Sequence, residues 1–115
     1  MIRKNSECSV ELRENMRGGD GTVKICNLVT KEELCDKGRL FAEITLEPGS
    51  SIGYHIHEGD TEIFRILQGK AEYSDNGNIK TVEAGDVLIC PEGTGHSIKN
   101  TGDVDVVMTA LIVYA

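Results

Sequence analysis

The chain has 115 residues and a formal net charge of −7, with no Trp, two Phe and three Tyr. That length makes one domain, able to bury about two thirds of its unfolded surface in a core of its own. An acidic balance without any Lys/Arg cluster has the wrong sign for a nucleic-acid backbone or an anionic membrane surface, and so few aromatic rings make a poor sugar-stacking platform.

Residues 1 to 21 are expected to form a polar amino-terminal arm, followed by one β-barrel domain over residues 22 to 115. The opening Met1-Ile2-Arg3-Lys4-Asn5-Ser6-Glu7 lacks the apolar run of a signal peptide, and Cys8, Cys26, Cys35 and Cys90 form no Cys-x-x-Cys pair. A cytoplasmic protein with free thiols is the expectation. Arg17-Gly18-Gly19-Asp20-Gly21 is glycine-rich, but a phosphate loop needs a following Lys-Ser/Thr and a helix. The strand-like Thr22-Val23-Lys24-Ile25-Cys26-Asn27-Leu28 follows instead, which leaves a mobile arm or a surface turn. Thr30-Lys31-Glu32-Glu33 has the form of a capping box and predicts one short helical turn.

From Leu40 the period is two. Leu40, Ala42, Ile44 and Leu46 alternate with Phe41, Glu43, Thr45 and Glu47 up to the turn Pro48-Gly49. His55 and His57 then stand two residues apart, a spacing that points both imidazoles to one face of a strand. The polar stretch Glu58-Gly59-Asp60-Thr61 can reverse the chain and set Glu62 on the neighbouring antiparallel strand. His96 arrives after Pro91-Glu92-Gly93-Thr94-Gly95, a tight-turn sequence. All three histidines and Glu62 could thus grip one divalent ion and leave coordination positions free.

The same alternation places Phe64 and Ile66 on the side of Glu62 and Ile63, Arg65 and Leu67 on the other. Ala71 to Ser74 and Ile79 to Val82 flank Asp75-Asn76-Gly77-Asn78, a strong hairpin signal. Strands are further expected at Val87 to Cys90, His96 to Lys99 and Val104 to Tyr114, the last too short and too interrupted to span a membrane. Short strands at regular spacing indicate a closed all-β fold. Apolar residues on both sides of Glu62 to Leu67 and of Val104 to Tyr114 suggest two covered faces. A homodimer would supply the second cover; coverage by the amino-terminal strand is the alternative.

These residues resemble both sequence motifs of the cupin superfamily, at the family's spacing. The first, G-x5-H-x-H-x(3,4)-E-x6-G, is met by Gly49, His55, His57, Glu62 and Gly69; the second, G-x5-P-x-G-x2-H-x3-N, by Gly85, Pro91, Gly93, His96 and Asn100. The resemblance implies a small single-domain cupin: an all-β double-stranded β-helix, or jelly-roll barrel, with a short amino-terminal extension. It implies that His55, His57, Glu62 and His96 are metal ligands, and that Gly49, Gly69, Gly85, Gly93, Pro91 and Asn100 shape turns.

One divalent transition metal per chain is therefore expected: Mn, Fe, Ni or Co with open positions, or Zn with fewer waters. With every histidine committed, proton transfer would fall to water on the ion or to Tyr73, Tyr54, Glu58, Asp60 or Cys90. Tyr54 has the wrong alternation for the cavity, Glu58 and Asp60 belong to a solvated turn, and Tyr73 and Cys90 suit a core, so no catalytic residue is assigned. The resemblance implies a metal-dependent enzyme of dioxygenase, decarboxylase, lyase or isomerase type on a small oxygen-rich or carboxylate substrate. The alternatives are a non-catalytic module that binds a small molecule or a metal, and a scaffold braced by its ion. The segment ahead of the barrel is too short for a helix-turn-helix, and nucleic acid and membrane are not expected as partners.

Overall fold

A computed structural model describes residues 1–115. In chain order the strands are β1 (Ser9–Glu14), β2 (Thr22–Asn27), β3 (Gly38–Leu46), β4 (Ser51–Ile56), β5 (Asp60–Gln68), β6 (Lys70–Asp75), β7 (Asn78–Glu83), β8 (Val87–Cys90), β9 (Gly95–Asn100) and β10 (Val106–Tyr114). They form a six-stranded sheet in the order β1-β2-β3-β10-β5-β8 and a four-stranded sheet in the order β4-β9-β6-β7. Every pairing is antiparallel. The all-β jelly roll expected from the sequence is the fold found.

Alternation decides which side chains enter the barrel. Ala42, Ile44 and Leu46 on β3, Phe64 and Ile66 on β5, and Val106, Met108 and Ala110 on β10 are all buried in one cluster. Each such Leu, Ile, Phe or Met contributes about 1.5–3 kcal/mol by leaving water, which is why the register of these long central strands is fixed. The β6–β7 hairpin turns at Asn76 and Gly77, both at positive φ (51° and 98°), the two-residue geometry that the Asn-Gly pair predicts. Thr30 and Glu33 close the capping box, the Glu33 carboxylate accepting from Thr30 N–H at 2.8 Å and the Thr30 hydroxyl from Glu33 N–H at 3.2 Å. The helical turn that it starts, Glu32–Leu34, is a single 3-10 turn.

Three features differ from the sequence reading. Within the polar residues 1 to 21 lies a strand, β1, paired with β2 from Ser9↔Asn27 to Glu14↔Thr22. All six of its residues are exposed, so its only pattern, Val10 and Leu12, carries no burial signal. The loop after it is a fixed surface turn: Asn15 N–H donates to Gly21 O at 2.9 Å, and Asp20 N–H to the Ser51 hydroxyl at 2.8 Å. Secondly, β5 does not pair with β4. The residues after His57 cross from the small sheet to the large one, so the histidines and Glu62 approach from opposite walls of the barrel. Thirdly, β1 extends the edge of the large sheet and does not cover its outer face. There Ile63, Val107, Leu111 and Val113 are half-buried, and Leu67, Val87 and Ile89 are exposed.

Asn100 ties the end of the small sheet to the large one. Its buried amide donates to Leu46 O and Val104 O, both at 2.8 Å, and its carbonyl accepts from Gly102 N–H at 2.9 Å. Truncation would leave a buried carbonyl without its donor, at about 1–3 kcal/mol for each group orphaned. Asn100→Ala is therefore expected to lower the unfolding free energy by about 2–4 kcal/mol in urea titration. A loss below about 0.5 kcal/mol would mean that water replaces these bonds freely.

Candidate metal centre

His55 sits near the end of β4 opposite His96 on β9, and His57 follows two residues on. The pairing of β4 with β9 shifts register between Ile52 and His55. This irregularity falls at Gly53, where a Cβ would collide with the carbonyl oxygen of Arg17. Its effect is to aim the Gly53 carbonyl at the His55 ring, which donates to it from Nδ1 at 2.8 Å. His57 is braced by its backbone, donating to Thr94 O at 2.9 Å and accepting from Gly93 N–H at 2.7 Å. His96 lies stacked on Phe64, with ring centroids 5.2 Å apart, and edge-on to Tyr73.

The four side chains meet. His57 Nε2 lies 3.1 Å from His96 Nε2 and 3.2 Å from Glu62 Oε1; His96 Nε2 lies 3.2 Å from His55 Nε2 and 3.1 Å from Glu62 Oε1. His57, Glu62 and His96 are buried and His55 is half-buried. The far nitrogens explain why the near ones are available. Gly53 O can only accept, and the Asp60 carboxylate, 2.6 Å from His57 Nδ1, also accepts, so in the neutral rings both protons sit on Nδ1. The Nε2 lone pairs of His55 and His57 are left bare and converge beside a carboxylate. Such an array repels itself unless a proton or a cation sits among the donors. Two donors about 2.1 Å from a common ion and at right angles to each other would be about 3 Å apart, close to the spacings found. The residues fit a divalent transition metal.

Local charge is uneven. The hydrogen bond to Glu62 holds the His57 imidazole above its ordinary range, outweighing burial, with Asp60 adding to the effect. Burial pushes His55 below its ordinary value, and the Gly53 carbonyl only partly offsets it. Burial alone would raise Glu62, but its bonds to His57 and His96 win and hold it low. Asp60 is likewise held low against burial, by the Arg39 guanidinium, whose Nε donates to Asp60 Oδ2 at 2.8 Å, and by His57.

Beside His55, His57 and Glu62 lies a cavity of about 80 Å³, lined on its exposed side by Arg13, Arg17 and Arg39 with Met16 and Leu40. A larger cavity, about 350 Å³, lies at the other end of the β6–β7 hairpin beside Lys70 and Glu83, and contains no converging donors.

All four residues expected as ligands are thus brought together. Of the residues weighed for proton transfer, Tyr54 points out of the barrel and packs over Gly95, Glu58 is exposed, and Cys90 is buried. The Tyr73 hydroxyl lies 2.8 Å from His96 Nδ1, and burial drives its phenol up. Asp60 corrects the sequence reading. It is buried, not solvated, and opens β5 with its carboxylate between His57 and Arg39. The signal that could have found it is a carboxylate three residues after a candidate ligand histidine. Nothing in the sequence marks Arg13, Arg17 or Arg39 as neighbours of the site.

Two antiparallel sheets closed as a jelly roll, with three imidazoles and a carboxylate turned inward from both, define a cupin barrel. The chain belongs to the cupin domain family, whose model matches residues 42–114. It is 45% identical over 113 residues to the oxalate-binding protein of Thermotoga maritima, covering 98% of this chain and 93% of that one. A crystal structure from the same organism, described as a predicted oxalate decarboxylase, matches with a TM-score of 0.95 and 44% identity over 100% of both chains. A cupin 2 conserved barrel domain protein from Salinispora arenicola matches with a TM-score of 0.76 and 25% identity, over 100% of this chain and 89% of that one.

The charge pattern sets the order of protonation in metal-free protein. As pH falls, His57 should protonate before His55, the one above the ordinary value near 6.5 and the other below it. His57, raised in the folded state, stabilises the metal-free fold at low pH, and that contribution fades as pH rises through its folded value. His55, lowered, costs stability once pH falls below 6.5. Imidazole proton NMR should show this order, and Asp60→Asn should bring the His57 midpoint down. Superimposable titration of the two rings would contradict the geometry.

Proposed function

We propose that His55, His57, Glu62 and His96 hold one divalent transition-metal ion, and that the protein binds oxalate or a close small dicarboxylate on it. The observation that carries this reading is the convergence of bare imidazole nitrogens and Glu62 beneath a small cavity rimmed by arginines. The likeness to an oxalate-binding protein across nearly the whole chain supports the ligand class. A bound ion would supply Lewis acidity toward carboxylate oxygens. The chain supplies the rest: Gly53 and Asp60 hold the imidazole tautomers, Phe64 fixes the plane of His96, and the cavity limits ligand size. At about 80 Å³ it is far below the roughly 300–1,000 Å³ of pockets that take drug-sized molecules.

Binding is favoured over turnover, because the acids and bases around the cavity are already engaged. Asp60 is held by His57 and Arg39, Tyr73 by His96, and Glu11 by Arg13 and Asn27. The second reading, decarboxylation of the same ligand, is favoured by the likeness to the structure described as a predicted oxalate decarboxylase. The four free cysteines suit a reducing cytoplasm, and no helix is long and apolar enough to cross a membrane.

Protein purified without chelator or affinity tag should carry close to one divalent transition metal per chain by elemental analysis, with most of it lost in His57→Ala and His96→Ala. Calorimetry should then show oxalate binding to loaded protein and none after chelation. Unchanged metal in both variants, or binding indifferent to chelation, would reject the reading.

We further propose a homodimer, with the apolar outer face of the large sheet, around Ile63, Ile89 and Leu111, covered by a second copy. Light scattering at micromolar concentration should give twice the chain mass, and Ile89→Glu should halve it. A concentration-independent monomer would leave that face to solvent.

A further inference from the structure

We infer that Arg17 determines ligand specificity: its guanidinium receives the outward oxygens of a dicarboxylate seated on the His55–His57–Glu62–His96 group, so that dicarboxylates are chosen over monocarboxylates. This inference rests on the function proposed above. Three arginines line the cavity, and two are already paired: Arg39 with Asp60 at 2.8 Å and Arg13 with Glu11 at 3.5 Å. Arg17 lines the cavity beside His55, His57 and Glu62, and no ion pair or side-chain hydrogen bond involves it. It is the one free cation at the mouth.

Charge matching points the same way. Neutral imidazoles and one carboxylate would leave a divalent ion with a single net positive charge, and the paired arginines cancel with their partners. Arg17 brings the second positive charge, which suits a dianion and is unanswered by a monocarboxylate. Its planar fork also fits two carboxylate oxygens at once.

The backbone shows that the position is built. Arg17 lies in the turn Met16–Gly18 with φ 55° and ψ 30°, left-handed backbone that disfavours any side chain. The turn is locked onto β4 by Asp20 N–H donating to the Ser51 hydroxyl and Ser51 N–H to Asp20 O, each at 2.8 Å. Contact is close enough that a Cβ on Gly19 or Gly53 would strike the opposing backbone. An arginine where glycine would be easier, on a turn with no room to move, fits a residue kept for its side chain. The turn also lies outside residues 42–114, so the four converging donors fall within the family's common domain and Arg17 in the segment ahead of it.

The test uses metal-loaded full-length protein, with oxalate and acetate as probes in calorimetry and metal content checked in each variant. Arg17→Gln should lose about 10- to 100-fold in oxalate affinity and change acetate affinity by less than about threefold. Arg17→Lys should recover only part of the loss. Arg17→Gly should raise the thermal midpoint by relieving the left-handed strain, yet bind oxalate as weakly as Arg17→Gln. A purely structural role would not produce that opposition. Oxalate binding unchanged in Arg17→Gln, or a loss shared equally by acetate, overturns the assignment while the proposed function stands. No oxalate binding by loaded wild type overturns both.

Discussion

The constraint on which the site depends lies at the far side of each imidazole. A neutral histidine has one proton to place between two nitrogens, and the backbone of Gly53 and the carboxylate of Asp60 take that choice away at His55 and His57. Once the protons are committed to Nδ1, the Nε2 lone pairs must face the barrel axis. Much of the surrounding structure serves this arrangement. The shifted pairing at Gly53 delivers its carbonyl, Arg39 keeps Asp60 ionised, and Phe64 and Tyr73 hold the plane of His96.

Glu62 balances the group from the other wall. Buried beside two imidazoles, it is the one anion that partly offsets a cation or a proton in the cluster, and those same imidazoles keep it ionised against the cost of burial. Because β4 and β9 belong to one sheet and β5 to the other, the distances among these four groups depend on how the sheets pack. Metal affinity and barrel stability would therefore be linked. An ion bound only by the folded state would stabilise the closed barrel by mass action, and loosening the core would widen the site.

Much of this was legible in the sequence because two periods coincide there. The period of two that buries Ala42, Ile44 and Leu46 recurs at His55 and His57 and at Glu62, Phe64 and Ile66, and it turns these side chains toward the barrel interior. What escaped has a physical reason in each case. β1 offers only the short alternation of Val10 and Leu12 among polar residues, and since all six of its residues are exposed it has too little apolar character to stand out from a polar arm. Asp60 looked like a turn residue because its partner Arg39 is 21 positions away and only the fold brings it close. Between β4 and β5 the sequence predicts a reversal where the chain changes sheets, since a short polar stretch containing Gly59 serves either.

The division between the common barrel and the segment ahead of it offers a way for a fold shared by many proteins to acquire a ligand preference. The inner donors are set by strand pairing and tautomer control, and altering any of them disturbs the group as a whole. The rim is under no such restriction. Residues 9 to 21 reach it by extending the edge of a sheet and locking one turn onto β4, which leaves the barrel's register untouched. A change there can alter charge and shape at the cavity mouth for the energy of a surface turn, on the order of 1–2 kcal/mol for one left-handed residue. Selectivity of this site is accordingly to be sought at its mouth, where this chain places one unpaired guanidinium beside two that are neutralised.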